Sequence, residues 1–305
     1  MKFEFKQLTA FSLPEITEYS SLRPIYTSEG QFMNQFIWSN YYNTSYHISD
    51  NFLFYKMQVS NELATMMPYC KTEDIINSFL TIKDYFNQEL NQPLKMYLAD
   101  ELFVSTLKTK EGLLDDFDII EDRDCFDYIY EADRLKSLSG KKLHKKKNHV
   151  NSFLKQYEGR YEYRTLNCKN MDEIQHFHQE WLSRKVVERE NTIKSEEDGI
   201  TRIFQNCPFL DCRLGGIYID GKLESYSVGS YNPTLKCAYI HVEKANIEIK
   251  GLYNYINQQF IINEFPDAVL VNREDDLGQE GLRKSKLSYH PYRLEAKYNL
   301  IQKSK

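Results

Sequence analysis

The sequence predicts an α+β protein built from two units that repeat one order of elements. Runs of alternating apolar and polar residues, typical of strands with one exposed face, occur in a cluster in each half of the chain. Stretches with apolar residues at helical spacing stand before and after each cluster. The length of 305 residues is sufficient for two ordinary domains, each with its own hydrophobic core.

In the first half, we expect helices at about 13–20 and 32–38, followed by three antiparallel strands. The strands are YHI, FLFYKM and ELATMM, with turns at 49–51 and 60–61 between them. A helix is predicted over 72–90, where Thr72 is a suitable N-cap. This half then continues with the strand PLKMYLA, the helix DELFVSTLK and two closing strands, FDII and FDYIY.

The second half repeats this order, beginning with helices at 175–190 and after Ser195. The next segment, RLGGIYIDGKLESYSVGSY, predicts a hairpin, because Asp-Gly adopts the positive φ angles of a two-residue turn. CAYIHVEK adds a third strand, and helical spacing predicts a helix over 250–265 that ends before Pro266. The chain finishes with the buried strand AVLV, a short basic helix over 279–287 and a last strand, YRLEAKYNL.

This order of elements is that of the GCN5-related N-acetyltransferase (GNAT) fold. We therefore predict tandem GNAT-like (acyl-CoA N-acyltransferase-like) domains, each with a mixed, mostly antiparallel sheet flanked by helices. The predicted boundaries are 1–136 for the first domain, 137–157 for a basic connecting helix, and 158–305 for a second domain that carries the reaction centre.

Composition argues against several classes of protein. No apolar run approaches the ~18 residues of a membrane-spanning helix, and charged residues interrupt the N-terminal apolar stretches, unlike a secretory signal. We therefore expect a cytoplasmic protein. The six cysteines form no CxxC pair, so we expect free thiols and no metal site. A Gly-x-Ser-x-Gly elbow and a P-loop are absent, which disfavours serine hydrolase and NTP hydrolase chemistry.

The net charge of −5 averages over two segments of opposite charge. An acidic stretch over 115–133 is followed by KKLHKKKNHV at 141–150, on the helix predicted over 137–157. One face of that helix is apolar, and lysines on the others suit the phosphate of tRNA, coenzyme A or a lipid head group. A solvated linking helix is the alternative. The residues assigned to phosphate binding here are Lys141, Lys145, Lys146 and His149.

The segment after AVLV is the most informative. Ligands of α/β sheets usually bind at the loop beyond the carboxyl end of a buried strand, and this loop carries polar residues throughout 272–276. Glu274 and Asp276 are candidate general bases for an attacking amine or hydroxyl, and Tyr289 is a candidate to hydrogen-bond the leaving group. A network of Arg and Asp side chains that fixes the loop is the alternative. Candidate donor-binding residues are Asn272, Arg273, Arg283, Lys284 and Lys286.

The entry to the helix predicted over 250–265 is a third candidate site. In acetyltransferases this entry holds the donor pyrophosphate on backbone N–H groups, which makes Lys250 and Gly251 candidate donor-binding residues. The signature Arg/Gln-x-x-Gly-x-Gly/Ala is absent from the sequence. The donor is therefore either not coenzyme A or bound differently.

Two long motifs extend the argument to a family. They are L-x-G-K-x-x-H-K-K-x-N-H-x-N-x-F at 138–153 and N-R-E-x-D-L-G-x-x-G-L-R-x-x-K-x-S-Y at 272–289. In both, the chain resembles the C-terminal domain of phosphatidylglycerol lysyltransferase and its soluble bacterial relatives. The resemblance implies a tandem fold similar to that of the Fem-type peptidoglycan aminoacyltransferases.

The same resemblance implies an enzyme, an acyltransferase without a tightly bound cofactor. It would transfer an aminoacyl group from aminoacyl-tRNA, or an acyl group from acyl-CoA, to an amine or hydroxyl acceptor. The partners implied are tRNA and, as acceptor, a phospholipid head group or a small amine. A non-catalytic protein that keeps the fold and binds a ligand or RNA is the alternative.

Overall fold

The computed structural model describes residues 3–184 and 190–303, which fall into two compact units. Unit 1 comprises Met1–Asp127 and Glu295–Lys305, and unit 2 comprises Tyr128–Leu294. In each unit, helices flank a mostly antiparallel sheet. Among the helices of the described ranges, none combines the length and apolar composition that crossing a bilayer requires.

Unit 1 is built from the following elements, numbered in chain order through both units. Its helices are α1 (Leu13–Ser20), α2 (Phe32–Trp38), α3 (Ile75–Asp84) and α4 (Glu101–Lys108). Its strands are β1 (Lys6–Gln7), β2 (Ser45–Ile48), β3 (Phe52–Val59), β4 (Glu62–Met66), β5 (Tyr69–Cys70), β6 (Lys95–Asp100), β7 (Phe117–Glu121) and β15 (Lys297–Gln302). The sheet order is β1-β2-β3-β4-β6-β15-β7, with β5 paired to β3.

Unit 2 has a sheet of the order β14-β8-β13-β12-β11-β10-β9. Its strands are β8 (Asp127–Glu131), β9 (Tyr161–Leu166), β10 (Arg213–Ile219), β11 (Lys222–Asn232), β12 (Cys237–Ala245), β13 (Leu270–Asn272) and β14 (Arg293–Glu295). Its helices are α5 (Ala132–Ser137), α6 (His144–Gln156), α7 (Met171–Ser183), α8 (Glu190–Asn206), α9 (Leu252–Glu264) and α10 (Glu280–Leu287). For the helix predicted over 175–190, residues 185–189 lie outside the described part of the chain.

Each sheet contains a strand whose neighbours in the sheet are distant in the sequence. In unit 1, β15 lies between β6 and β7 and is antiparallel to both. In unit 2, β8 pairs with β13. The division therefore differs from the predicted boundaries 1–136, 137–157 and 158–305, because FDYIY joins the second sheet and KYNLIQ the first. The pattern of a strand predicts that it pairs, whereas tertiary contacts decide its partner.

In unit 2, α9 packs closely against the sheet because two strand residues lack side chains. A Cβ on Gly215 would lie 2.9 Å from the Phe260 ring, and a Cβ on Gly229 would lie 2.9 Å from the Phe265 ring. Ile256 and Phe260 are fully buried at this contact. This packing fixes the inner face of α9 against β10 and β11, beside the strand β12 that carries polar residues of the candidate site.

The expectation of free thiols is wrong for two cysteines. Cys168 and Cys207 form a disulfide between the turn before α7 and the turn after α8. They are 39 residues apart, so no short spacing motif signals the pair, and only the packing of the two helices brings them together. Cys70, Cys125, Cys212 and Cys237 keep their thiols.

A buried ion network anchors β15 in unit 1. The Lys297 side chain is fully buried, and its Nζ lies 2.8 Å from Glu29 Oε1 and 2.8 Å from Asp127 Oδ1. It also donates to Ser28 Oγ at 3.2 Å. Burial raises the pKa of Glu29 in spite of the neighbouring ammonium group. A single cation thus stabilises two carboxyl groups out of contact with water.

We expect removal of this cation to destabilise the protein. In Lys297→Met, the buried Glu29 and Asp127 lose the Lys297 ammonium group, which costs about 3–5 kcal/mol of unfolding free energy, measured by denaturant titration. Lys303→Met is the matched control in the same terminal segment. Lys303 and its partner Asp118 are 53% and 63% exposed, and such a pair contributes about 1 kcal/mol or less. Equal losses in the two variants would contradict the assignment.

Candidate functional site

The parallel strands β12 and β13 separate early, and this separation creates the candidate site. The register pairs Cys237 with Leu270, Ala238 with Val271 and Tyr239 with Asn272. There β13 ends, whereas β12 continues to Ala245. The polar side chains of β12 beyond this point contact the loop that follows β13.

The first group of contacts involves Glu243, Arg273 and Asn257. Glu243 Oε1 accepts from Arg273 Nη2 at 3.1 Å, and Oε2 accepts from Asn257 Nδ2 on α9 at 2.9 Å. Burial acts to lower the pKa of Arg273, but the Glu243 carboxylate and nearby tyrosines raise it overall. Arg273 Nη1 is buried and has no hydrogen-bond partner among the described residues. The guanidinium therefore retains one donor group for a ligand.

Tyr289 joins this group to the basic helix α6. Its ring centre lies 4.2 Å from Lys146 Nζ and 5.0 Å from Arg273 Cζ. Asn254 of α9 donates to its hydroxyl oxygen. Burial raises the pKa of Tyr289 and lowers that of Lys146, and the nearby Arg273 adds to the lowering. We call Lys146, Glu243, Arg273 and Tyr289 the cationic cluster.

A second group of contacts is centred on His241. Its Nδ1 lies 2.8 Å from Glu274 Oε1, and its Nε2 lies 2.8 Å from Ser230 Oγ. The pairing of β11 with β12 shifts between Val228 and Gly229, which leaves His241 as the extra residue of a β-bulge. Bulges re-aim side chains beside functional sites. The imidazole is fully buried, whereas the Glu274 side chain is 18% exposed.

Asp276 holds the loop in place. Its Oδ1 accepts from Arg283 Nη2 at 2.7 Å and from Gly278 N at 3.0 Å. Its Oδ2 accepts from Tyr128 Oη at 2.5 Å and from Arg283 Nε at 3.0 Å. These four bonds use the accepting capacity of a carboxylate. Asp276 and Arg283 thus fit the loop-fixing network that the sequence left open as the alternative, and we assign neither to proton transfer or donor binding.

Lys286 and Asn272 hold the same loop through its backbone. Lys286 Nζ donates to the carbonyl oxygens of Arg273, at 2.6 Å, Glu274, at 3.2 Å, and Asp275. The buried Asn272 accepts from the Glu274 N–H at 2.6 Å through its side-chain oxygen. Glu274 has a φ of +55°, a left-handed conformation that these clamps stabilise. The side chains of Lys286 and Asn272 therefore bond to the backbone of this loop.

Of the other predicted residues, Gly251 is packed against α6 and the rest lie at the surface. Gly251 caps α9 with a φ of +86°, and a side chain there would collide with the His149 carbonyl of α6. The α9 entry is thus packed against α6, and glycine is required by both the φ angle and the close approach. The remaining members of this set have exposed side chains; they are Lys141, Lys145, His149, Lys250 and Lys284.

The structure adds residues that the sequence did not indicate. His241 and Glu243 interrupt β12, which is otherwise mostly apolar, and Asn254 and Asn257 stand three apart on α9. Polar residues at such positions were the available signal, because they are costly to bury without partners. The sequence did not indicate Ser230, because its contact with His241 joins two different strands.

Comparisons with known proteins identify one family and a set of similar structures. The family model described as phosphatidylglycerol lysyltransferase, C-terminal, matches residues 21–301. A crystal structure of a conserved protein of unknown function from Bacteroides thetaiotaomicron is 28% identical, with a TM-score of 0.90 over 99% of this chain and 100% of that chain.

Two more distant structures show the fold. The C-terminal domain of a putative lysylphosphatidylglycerol synthetase from Agrobacterium fabrum is 12% identical, with a TM-score of 0.66 and coverage of 96% of this chain and 93% of that one. A GNAT-family acetyltransferase from Colwellia psychrerythraea is 9% identical, with a TM-score of 0.51 over 100% of both chains. The predicted GNAT-like fold class is confirmed.

We expect Asp276→Asn to destabilise unit 2 by about 3 kcal/mol at neutral pH, because it breaks a buried ion pair. Burial acts to raise the pKa of Asp276, but the hydrogen bonds from Arg283, Tyr128 and Gly278 lower it overall. The stability it contributes is therefore complete above the ordinary carboxyl pKa of about 4 and is lost as pH falls through the folded-state value.

Denaturant titrations at several pH values test this expectation. The difference between wild type and Asp276→Asn should narrow below about pH 4. Asp267→Asn, at an exposed carboxyl of the same unit, is the control and should change stability by about 0.5 kcal/mol or less. A pH-independent difference would exclude the lowered pKa as its cause.

Proposed function

The chain belongs to the phosphatidylglycerol lysyltransferase C-terminal family, and from this premise we propose that it is an acyltransferase. It transfers an aminoacyl group from aminoacyl-tRNA, or an acyl group from acyl-CoA, to an amine or hydroxyl acceptor. The observation that supports this most is a set of contacts just beyond the end of β13. There the Glu274 carboxylate contacts the buried imidazole of His241, beside a cluster that offers Arg273 and Lys146 to an anion.

The reaction requires attack by the acceptor on the carbonyl carbon of an activated ester or thioester. A base must remove the proton of the attacking group, and we assign this role to the His241–Glu274 pair, whose Glu274 side chain is 18% exposed. Tyr289 accepts a hydrogen bond from Asn254, so its own O–H is available to hydrogen-bond the leaving group. Positioning and proton removal are then the protein's main contributions.

Two features favour aminoacyl-tRNA as the donor. The exposed lysines of α6 extend the positive charge from Lys146 along one helix, as a polyanion requires. The α9 entry, where GNAT enzymes hold pyrophosphate, is packed against α6 at Gly251. Lys250 remains at this entry as a candidate contact to the donor. Acyl-CoA is the second donor class, and the assays below separate the two.

The direct test is acyl transfer from a panel of charged tRNAs and acyl-CoAs to small amines and to phosphatidylglycerol in vesicles. We expect transfer from one donor class and a rate about 100-fold lower in Glu274→Gln, because removing a general base costs at least this factor. Glu280→Gln, the same change at an exposed residue of α10, should leave the rate unchanged. No transfer with any donor, together with unaltered ligand binding in Glu274→Gln, would favour the non-catalytic alternative.

The tRNA assignment has a separate test in the salt dependence of binding. Each phosphate contact adds roughly 0.7–0.9 to the slope of log K against log salt. We therefore expect the double variant Lys141→Ala/Lys145→Ala to bind tRNA more weakly and to reduce this slope by about 1 to 2. Lys108→Ala/Lys110→Ala, at exposed lysines of unit 1, is the control. Salt-independent or absent binding would remove tRNA and leave acyl-CoA as the donor.

A further inference from the structure

The contacts of His241 link a hydroxyl, an imidazole and a carboxylate, and the hydroxyl has no role in the proposed function. A hydroxyl on β11, an imidazole on β12 and a carboxylate on the loop after β13 are joined by two contacts of 2.8 Å each. Hydroxyl, imidazole and carboxylate in this order are the arrangement of an activated serine nucleophile. Such an arrangement is recognised by geometry, since its members occur in different orders along unrelated chains.

We call Ser230, His241 and Glu274 the trio. Hydrogen-bond chemistry fixes the roles within it. An ionised Glu274 carboxylate accepts hydrogen bonds only, so the proton of the neutral imidazole lies on Nδ1. His241 Nε2 is then an acceptor, and Ser230 must donate its hydroxyl proton to it. The proton of Ser230 Oγ therefore points at the base that would remove it.

The trio is held rigidly. The Glu274 N–H is bound by Asn272, and its carbonyl oxygen accepts from Lys286 Nζ and from the Tyr128 N–H. Ser230 lies within β11 and is only 8% exposed. A rigid and largely dry nucleophile is pre-organised for attack and protects an ester intermediate from hydrolysis.

The trio and the cationic cluster lie on opposite faces of the sheet, both beside the end of β13. Glu243 contacts Asn257 of α9, and its cross-strand neighbour is Ser227. Successive strand residues point to opposite faces, so Ser230 shares the other face with Tyr226. The ring of Tyr226 contacts Phe177 of α7 and Phe204 of α8. A donor held by the cluster must therefore bring its acyl carbon to Ser230 past the edge of β12 beyond Tyr239, where the loop after β13 replaces that strand.

We propose that Ser230 is a catalytic nucleophile and that the acyl group passes through an ester on its Oγ. This inference rests on the proposed acyltransferase function. Ser230 Oγ bonds to the acyl carbon, the bond to the leaving oxygen or sulfur breaks, and His241 carries the serine proton to the leaving group. The acceptor nitrogen or oxygen then bonds to the same carbon, the Ser230 ester bond breaks, and His241 returns the acceptor's proton to Ser230 Oγ.

The first experiment uses the donor without the acceptor. Wild-type protein is mixed with the donor found active, quenched in acid and analysed by intact and peptide mass. We expect one acyl group on the peptide that contains Ser230, released when the acceptor is added, and parallel-line two-substrate kinetics. We expect Ser230→Ala to lose about 100-fold or more of the transfer rate. Ser227→Ala, at a buried serine of the same strand whose hydroxyl has no hydrogen-bond partner within residues 3–184 and 190–303, should stay within about twofold.

A fluorophosphonate probe gives a readout that needs no donor. Its phosphorus would bond to Ser230 Oγ with loss of fluoride, in wild type and Ser227→Ala, and not in Ser230→Ala or His241→Asn. Transfer that proceeds without an acyl adduct, and that Ser230→Ala keeps within about threefold, would overturn the inference and leave the proposed function standing. Labelling of Ser230 without transfer from any donor would uphold the nucleophile and contradict the proposed function. If neither labelling of Ser230 nor transfer from any donor is seen, both the nucleophile and the proposed function are overturned.

Discussion

The candidate site depends on the early end of β13. Because this strand pairs with β12 only through Asn272, the rest of β12 has no strand beside it on that edge. Its polar residues His241 and Glu243 are partly or fully buried, and burial without partners would be costly. They find those partners in Glu274 and Arg273, the residues that follow β13 directly. The early end of β13 thus leaves the rest of β12 without a strand partner on that edge and also brings the charged groups of β12 and the loop into contact.

The loop after β13 carries four consecutive ionisable residues and lies beyond the pairing of that strand with β12, so side chains must fix its conformation. The support comes from Asp276 with Arg283, and from Lys286 on the backbone carbonyls. These clamps keep Glu274 in a left-handed conformation and aim it at His241. Their buried charges stabilise one loop geometry at a cost in desolvation. The residues of the candidate site therefore divide into those that hold the loop and those to which we assign chemistry under the proposed function.

The sequence predicted the fold well, because hydrophobic periodicity and the Asp220-Gly221 turn are local signals. It located the 272–289 segment for the same reason, as a polar run after a buried strand. It did not separate the roles within that segment, since a carboxylate that fixes the loop, such as Asp276, and a proposed base, such as Glu274, differ only in tertiary partners. The destination of β15, the Cys168–Cys207 disulfide and the contact of Ser230 with His241 depend on residues far apart in the chain, so no local pattern could predict them.

In the proposed function, the donor binds and reacts beyond the end of β13 in unit 2. Amide hydrogen exchange, followed by mass spectrometry, with a non-hydrolysable aminoacyl-adenosine analogue at saturation measures where the donor binds. We expect slower exchange in the peptides that cover 241–257 and 272–289, and unchanged exchange in β2 and β3 of unit 1. Protection confined to unit 1, or no protection anywhere at saturation, would rule out this placement.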